Sequence, residues 1–313
     1  MKYFVMVLMS IIIGEASLSS VYAQEKLQKP NEESILVSKN SAEEKVEDEV
    51  STTNAAVDKL QGNLGSQQLL YARKKISQYL SGGFDTDLKE TTNNEKGYSS
   101  YLSYSLTYKL NTQYSTRIRT SVSKDLSTSF EEELGDTGLT LSKSPMQLAK
   151  NLLFIPSVTA VLPTSEKSKR NQELILGTYI SPVLIYNFTD FLSFTYLPRA
   201  RKNFHEYTTS RTNRTNTEYS LAQYYILGYS ISDRWGIEST FLYGNSWSYS
   251  GRRRDPSYRS IIELGYYPSR KISLAVGTVQ GGSIYDREQG PNQQVEILNK
   301  DETTVYGSFA LKF

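Results

Sequence analysis

The chain has 313 residues, with 35 Lys and Arg against 33 Asp and Glu, one His and no Cys. A formal net charge of +2 gives no ground for a nucleic-acid partner, and the missing Cys excludes thiolate metal sites, Cys nucleophiles, a disulfide framework and a lipid-bearing N-terminal Cys. The mean hydropathy of −0.47 looks soluble, yet a sheet that shows only alternate residues to lipid has the same average.

Lys2 opens a short positive region, residues 3–13 form an apolar core, and Val21-Tyr22-Ala23 puts small residues at the two positions a signal peptidase reads. The pattern predicts a signal peptide over 1–23, cleaved after Ala23. A permanent helical span needs roughly 20 apolar residues, and here the run is broken by Ser10, Gly14 and Glu15. No later apolar run is long enough to cross a bilayer as a helix, so a membrane-integral form of this chain has to be a barrel.

Residues 24–72 are of different composition, with nine acidic and five basic residues and a single aromatic, Tyr71. The first part, to about residue 41, reads as a polar linker. Val46, Val50, Thr53, Val57, Leu60 and Leu64 then recur at spacings of 4, 3, 4, 3 and 4, a short heptad seam. One reading is a periplasmic coiled coil that holds barrels together as a homo-oligomer. The other is an isolated, marginal amphipathic helix, favoured by Thr53 in the seam and by Gly62 and Gly65 at its end.

From residue 73 the chain divides into alternating runs: 73–88, 98–110, 113–125, 137–143, 153–163, 172–187, 190–204, 217–231, 234–248, 257–267, 270–285 and 302–313. Most of the 24 Tyr lie here, with abundant Ser and Thr, a composition suited to sheet. Leu110-Asn111-Thr112, Phe188-Thr189-Asp190, Ile231-Ser232-Asp233 and Tyr267-Pro268-Ser269 are short joins, whereas 126–136, 164–171, 205–216, 249–256 and 286–301 are long and polar. Short and long joins alternate, as in a barrel with tight turns at one rim and larger loops at the other. Parity requires an even number of strands, so Arg73–Leu88 is needed as the first of twelve, and its Gly82-Gly83 pair predicts a bend or bulge. Pro182 and Pro198 inside adjacent runs predict a bulge or an early strand end, and residues 144–152 read as a helical turn.

The last run, E-T-T-V-Y-G-S-F-A-L-K-F, puts Val305, Gly307, Phe309, Leu311 and Phe313 on one face. It resembles the closing strand of a Gram-negative outer-membrane β-barrel of the twelve-stranded channel or transporter type. The resemblance implies that Phe309, Leu311 and Phe313 are the assembly signal read by the barrel-assembly machinery. It also implies a site in the outer membrane, with residues 24–72 in the periplasm and a barrel over 73–313, in contact with outer-membrane lipid and lipopolysaccharide. The V-L-P-T-S run at 161–165 is similar to a segment of outer-membrane transporter barrels. Trp235 and Trp247 share one face of one strand, and their twelve-residue separation spans roughly 30 Å of membrane normal, the spacing of two aromatic girdles.

Alternation directs Arg117, Arg119, Arg199, Arg201 and Arg259 inward, with Glu173, Glu218, Glu238 and Glu263, because charge facing lipid is costly. Two readings follow: the charges pair and close the lumen, or they line a pore that passes small anionic or polar solutes. Gly251-Arg252-Arg253-Arg254-Asp255 and the Arg211/Arg214 stretch are basic and suited to lipopolysaccharide phosphates, or simply solvated. The single His, His205, is followed by Glu206 in a sequence, H-E-Y-T-T-S, that does not match the His and Ser spacing of outer-membrane lipid hydrolases. No phosphate loop, dinucleotide fingerprint, nucleophile elbow or metal-ligand cluster is present, so neither an enzyme nor a cofactor is expected.

Overall fold

The computed structural model describes residues 75–88, 97–127, 132–284 and 303–313. The signal peptide expected over 1–23 and the segment 24–72 lie outside the described residues. The described strands, in chain order, are β1 (Ile76–Asp87), β2 (Tyr98–Lys109), β3 (Tyr114–Asp125), β4 (Glu132–Leu134), β5 (Thr137–Lys143), β6 (Met146–Ala149), β7 (Leu152–Ile155) and β8 (Ser157–Leu162). They continue with β9 (Leu174–Ile180), β10 (Val183–Asn187), β11 (Leu192–His205), β12 (Thr217–Ser230), β13 (Trp235–Ser248), β14 (Ser257–Ser269), β15 (Ile272–Ser283) and β16 (Thr303–Lys312).

Every recorded pairing is antiparallel, and β11 pairs β12 while β1 pairs β16, so the sheet closes into a barrel of twelve spans. Closure removes both sheet edges, and every span then has a partner on each side. Nine spans are single strands. The other three are broken: β5 and β6 part at Ser144-Pro145, β7 and β8 at Pro156, and β9 and β10 at Ser181-Pro182. Proline brings no N–H to the ladder, which is why the breaks fall there. Pro182 thus ends a strand, as expected, whereas Pro198 stays inside β11 opposite Gln223.

Residues 144–152 are a hairpin rather than a helical turn. β6 pairs β7, and Gln147 Nε2 donates to the Lys150 carbonyl at 3.1 Å across the turn. The helix formers in M-Q-L-A-K-N-L lose to ladder pairing with β10 on the far side of β7. The Gly82-Gly83 pair makes no bulge either, since the β1–β16 register runs unbroken from Tyr79 to Asp87. Each glycine instead leaves room for a ring. A Cβ on Gly82 would lie 3.1 Å from the Phe309 ring on the outer face, and one on Gly83 would lie 2.9 Å from the Tyr101 ring on the inner face.

The outer surface is a belt of exposed apolar residues that includes Leu102, Ile118, Leu139, Leu227, Ile237, Phe241, Ile262, Leu264 and Val276. So large a contiguous apolar surface on a closed barrel is a lipid-facing band. No described helix is long and apolar enough to cross a membrane. At one rim the joins are tight, and Lys150-Asn151 and Arg270-Lys271 are the shortest described between spans, with β14 running through the predicted turn to Ser269.

Candidate functional site

The interior is fixed by register. Ser81 lies opposite Ser103, Ser103 opposite Ser121, and Glu238 opposite Glu263; Ser103, Glu238 and Glu263 are buried while their neighbours along each strand are exposed. The wall made by β13 to β16 with β1 and β2 is densely filled. Glu238, Glu263 and Ile261 are each 2% exposed, with Ser81, Thr240 and Thr303 buried beside them. The Tyr306 hydroxyl donates to Glu263 Oε2 at 2.6 Å, and Thr240 Oγ1 donates to Glu238 Oε1 at 3.4 Å. Two facing carboxylates inside a barrel repel one another, and hydroxyl donors of this kind hold such a pair in a shielded place.

Four of the arginines stand on β3 and β11, and the fifth, Arg259, stands on β14 with Glu263. Arg117 and Arg119 of β3 share the inner face, where Arg117 Nε donates to Thr107 Oγ1 and Arg119 Nε to Ser103 Oγ, each at 3.3 Å. On β11, Arg201 Nε donates to Asn203 Oδ1 at 2.7 Å. The Arg199 guanidinium lies between two rings, 4.7 Å from the Tyr179 centroid and 5.2 Å from that of Tyr224. Stacking of this kind holds a guanidinium in place. Arg259 of β14 faces Leu242 and Gly281 in the ladder. The interior therefore has a carboxylate wall and guanidinium groups on three separate spans.

Two of the residues assigned inward from alternation lie beside register shifts. Glu173 precedes β9 with φ 52°, and its carboxylate accepts from Arg211 Nε at 2.8 Å at the long-connection rim. The ladder shifts register beside Phe204/His205, and that shift takes Glu173 out of the alternation. Glu218 falls at a second shift, between Thr217 and Tyr219, where it is the extra residue and has no facing partner. At the same rim three connections are laced together: Arg211 N donates to the Asn171 carbonyl, and Asn216 Nδ2 to the carbonyls of Gln172 and Tyr207. Tyr249 N donates to the Asn216 carbonyl. Asp136 accepts from Ser165 N at 3.0 Å and Ser168 Oγ at 2.6 Å, which pins the helical turn Lys167–Asn171.

His205 ends β11 rather than opening a loop. Its Nδ1 lies 3.3 Å from the Tyr249 hydroxyl, which itself donates to the Asn203 carbonyl at 2.7 Å. Burial pushes the Tyr249 phenol above its ordinary pKa. The contacts join a strand end to a loop and bring no serine to the imidazole. Among the described residues no group of three or more His, Cys, Asp or Glu is placed to hold a metal ion.

Outward, Trp235 and Trp247 of β13 lie on one face with Ile237 and Phe241, Trp235 at the tight-turn rim against Tyr266 at 4.6 Å between centroids. Trp247 is at the other rim beside Tyr219, which in turn faces Lys202. Arg253 bridges to Trp247, and its guanidinium donates to Asn245. Phe309 and Leu311 lie in β16 opposite Gly82 and Leu80, and the Phe313 N–H donates to the Gln78 carbonyl at 3.0 Å. Sequence reasoning missed the Tyr306–Glu263 contact and the Tyr179–Arg199–Tyr224 stack, because both join side chains from different strands and need the register.

No protein-family model and no curated protein matches this chain. Among solved structures the chain is similar to an outer membrane channel from Pseudomonas putida F1, with a TM-score of 0.50 and 10% identity over 76% of this chain and 95% of that one. It is also similar to the NanC porin, with a TM-score of 0.49 and 10% identity over 75% of this chain and all 100% of that one. For the KdgM porin in complex with disordered oligogalacturonate the values are 0.43 and 10%, over 76% and 99%. At this identity the first likeness speaks for the fold alone: the chain has the closed antiparallel β-barrel fold of that outer membrane channel.

Proposed function

We propose that this chain is an outer-membrane channel for small polar or anionic solutes. The observation that supports it most strongly is the number of charged side chains that the register gathers inside the barrel. Guanidinium groups stand on β3, β11 and β14, and Glu238 and Glu263, the latter on β14 with Arg259, accept from hydroxyl donors. Such an interior offers a small polar or anionic solute successive charged and hydroxyl-bearing side chains. The tight-turn rim with Trp235 is the periplasmic side on this reading. The rim with Lys202, Tyr219, Trp247 and Arg253 meets the phosphates of lipopolysaccharide, and the β16 face with Phe309, Leu311 and Phe313 engages the assembly machinery.

A second reading, a structural barrel with a closed lumen, is favoured by the near-complete burial of Ser81, Glu238, Thr240, Ile261 and Thr303 along one wall. Recordings across planar bilayers separate the two. The channel gives discrete current steps, and a salt gradient gives a reversal potential of anionic sign that Arg117→Glu with Arg119→Glu moves toward the cationic side. A closed barrel gives no steps from heat-modifiable, folded protein, and the double substitution then only lowers its thermal stability.

A further inference from the structure

Three prolines stand side by side in the barrel wall. Val158 pairs Ile180 and Ile155 pairs Val183, which sets Pro156 opposite Pro182. Ala200 pairs Ile180 and Tyr196 pairs Leu184, which sets Pro182 opposite Pro198. The Ser181 N–H donates to the Ser157 carbonyl at 3.0 Å, toward β8, so the next residue, Pro182, turns its backbone groups toward β11. Pro182 and Pro198 therefore occupy a position where an antiparallel ladder exchanges two hydrogen bonds, and neither nitrogen has a proton to give. Pairing between these spans stops at Ile180–Ala200 and resumes at Leu184–Tyr196. Beyond Pro156, Lys143 N donates to the Pro156 carbonyl at 3.0 Å, and the return bond is again impossible.

The break is polar on both sides. On the inner face Ser157 Oγ donates to the Ser181 carbonyl at 2.7 Å, and Arg199 follows directly after Pro198. On the outer face Gln223 lies opposite Pro198, and its Oε1 accepts from the hydroxyls of Tyr196 at 3.1 Å and Tyr225 at 3.0 Å. A glutamine amide with two phenol hydroxyls at mid-strand on a lipid-facing surface is costly unless something uses it. The carbonyls of Pro182 and Pro198 lie between these groups as acceptors that no facing N–H can reach.

We infer that the wall between β9/β10 and β11 is a lateral portal, through which a small membrane-partitioning solute bearing a hydrogen-bond donor passes between the lumen and the bilayer. The two prolyl carbonyls accept from its donor in transit, and Ser157, Ser181 and Gln223 mark the two mouths. The portal rests on the membrane-barrel reading but not on ion conduction.

The chain has no Cys, so a disulfide is a clean test. Val183 and Leu197 face each other inside the unpaired stretch, at a position of the closer, non-hydrogen-bonded type. Cells expressing Val183→Cys with Leu197→Cys are given N-phenyl-1-naphthylamine, an amine with one N–H that fluoresces in the bilayer. The portal predicts severalfold slower dye entry when the pair is oxidised, recovery on reduction, and unchanged single-channel current. Pro182→Val with Pro198→Val, which restores both donors, slows entry in the same way if the disulfide variant does not assemble. Equal dye entry through oxidised and reduced protein, or through the valine variant and the native chain, overturns the portal. Loss of current steps from the native chain bears on the channel reading alone.

Discussion

Gly82 and Gly83 are side by side, yet each serves the opposite face of the same wall. A Cβ on Gly83 would come 2.5 Å from the Gly307 carbonyl and 2.9 Å from the Tyr101 ring, neither of which a side chain tolerates. Gly83→Val should cost about 1–3 kcal/mol through overpacking at the closing seam, seen as a lower temperature of the folded-to-unfolded gel shift. Tyr306→Phe removes the donor held 2.6 Å from Glu263 and should cost about 1–3 kcal/mol as well, because a shielded carboxylate is left short of a partner. The paired substitution Glu263→Gln should relieve most of that loss, and a double-mutant cycle read by the same gel shift checks the coupling. Alternation reads a regular ladder such as that of Glu238 facing Glu263, whereas Glu173 and Glu218 lie beside register shifts that a sequence period of two does not reveal.

The spans differ in how continuous their ladders are. β13 pairs β12 from Gly236 to Ser248 and β14 from Trp235 to Gly244, while the spans containing β7 to β10 are each cut by a proline. Backbone amides of Val183–Asn187 should therefore exchange with deuterium well before those of Ile237–Leu242, and equal protection would argue that the proline row leaves the wall intact. The sequence announced these breaks only in part. Pro182 and Pro198 were visible as anomalies, but their placement in one row with Pro156 depends on which residues face each other. The hairpin β6–β7 was illegible for another reason: Met146 to Leu152 has helix-forming composition, and only pairing with β10 makes it sheet. The twelve-span count was readable because tight turns and long joins alternate, which is a covalent property of the chain.

In the whole molecule an apolar outer belt encloses an interior rich in charge, and the polypeptide pairs its last strand with its first. That closure explains a mean hydropathy that looks soluble in a protein that faces lipid on every side. It also explains why solute class is the least legible feature, since the lumen is assembled from single residues on many spans. The most direct test of the channel reading places one cysteine in this Cys-free chain, at Arg119→Cys on the inner face, and applies a small, charged, membrane-impermeant thiol reagent while current is recorded. The account predicts a lasting fall in current on reaction, and no change for Ile118→Cys on the lipid face. Current unaffected at position 119 but reduced through position 118 would contradict it.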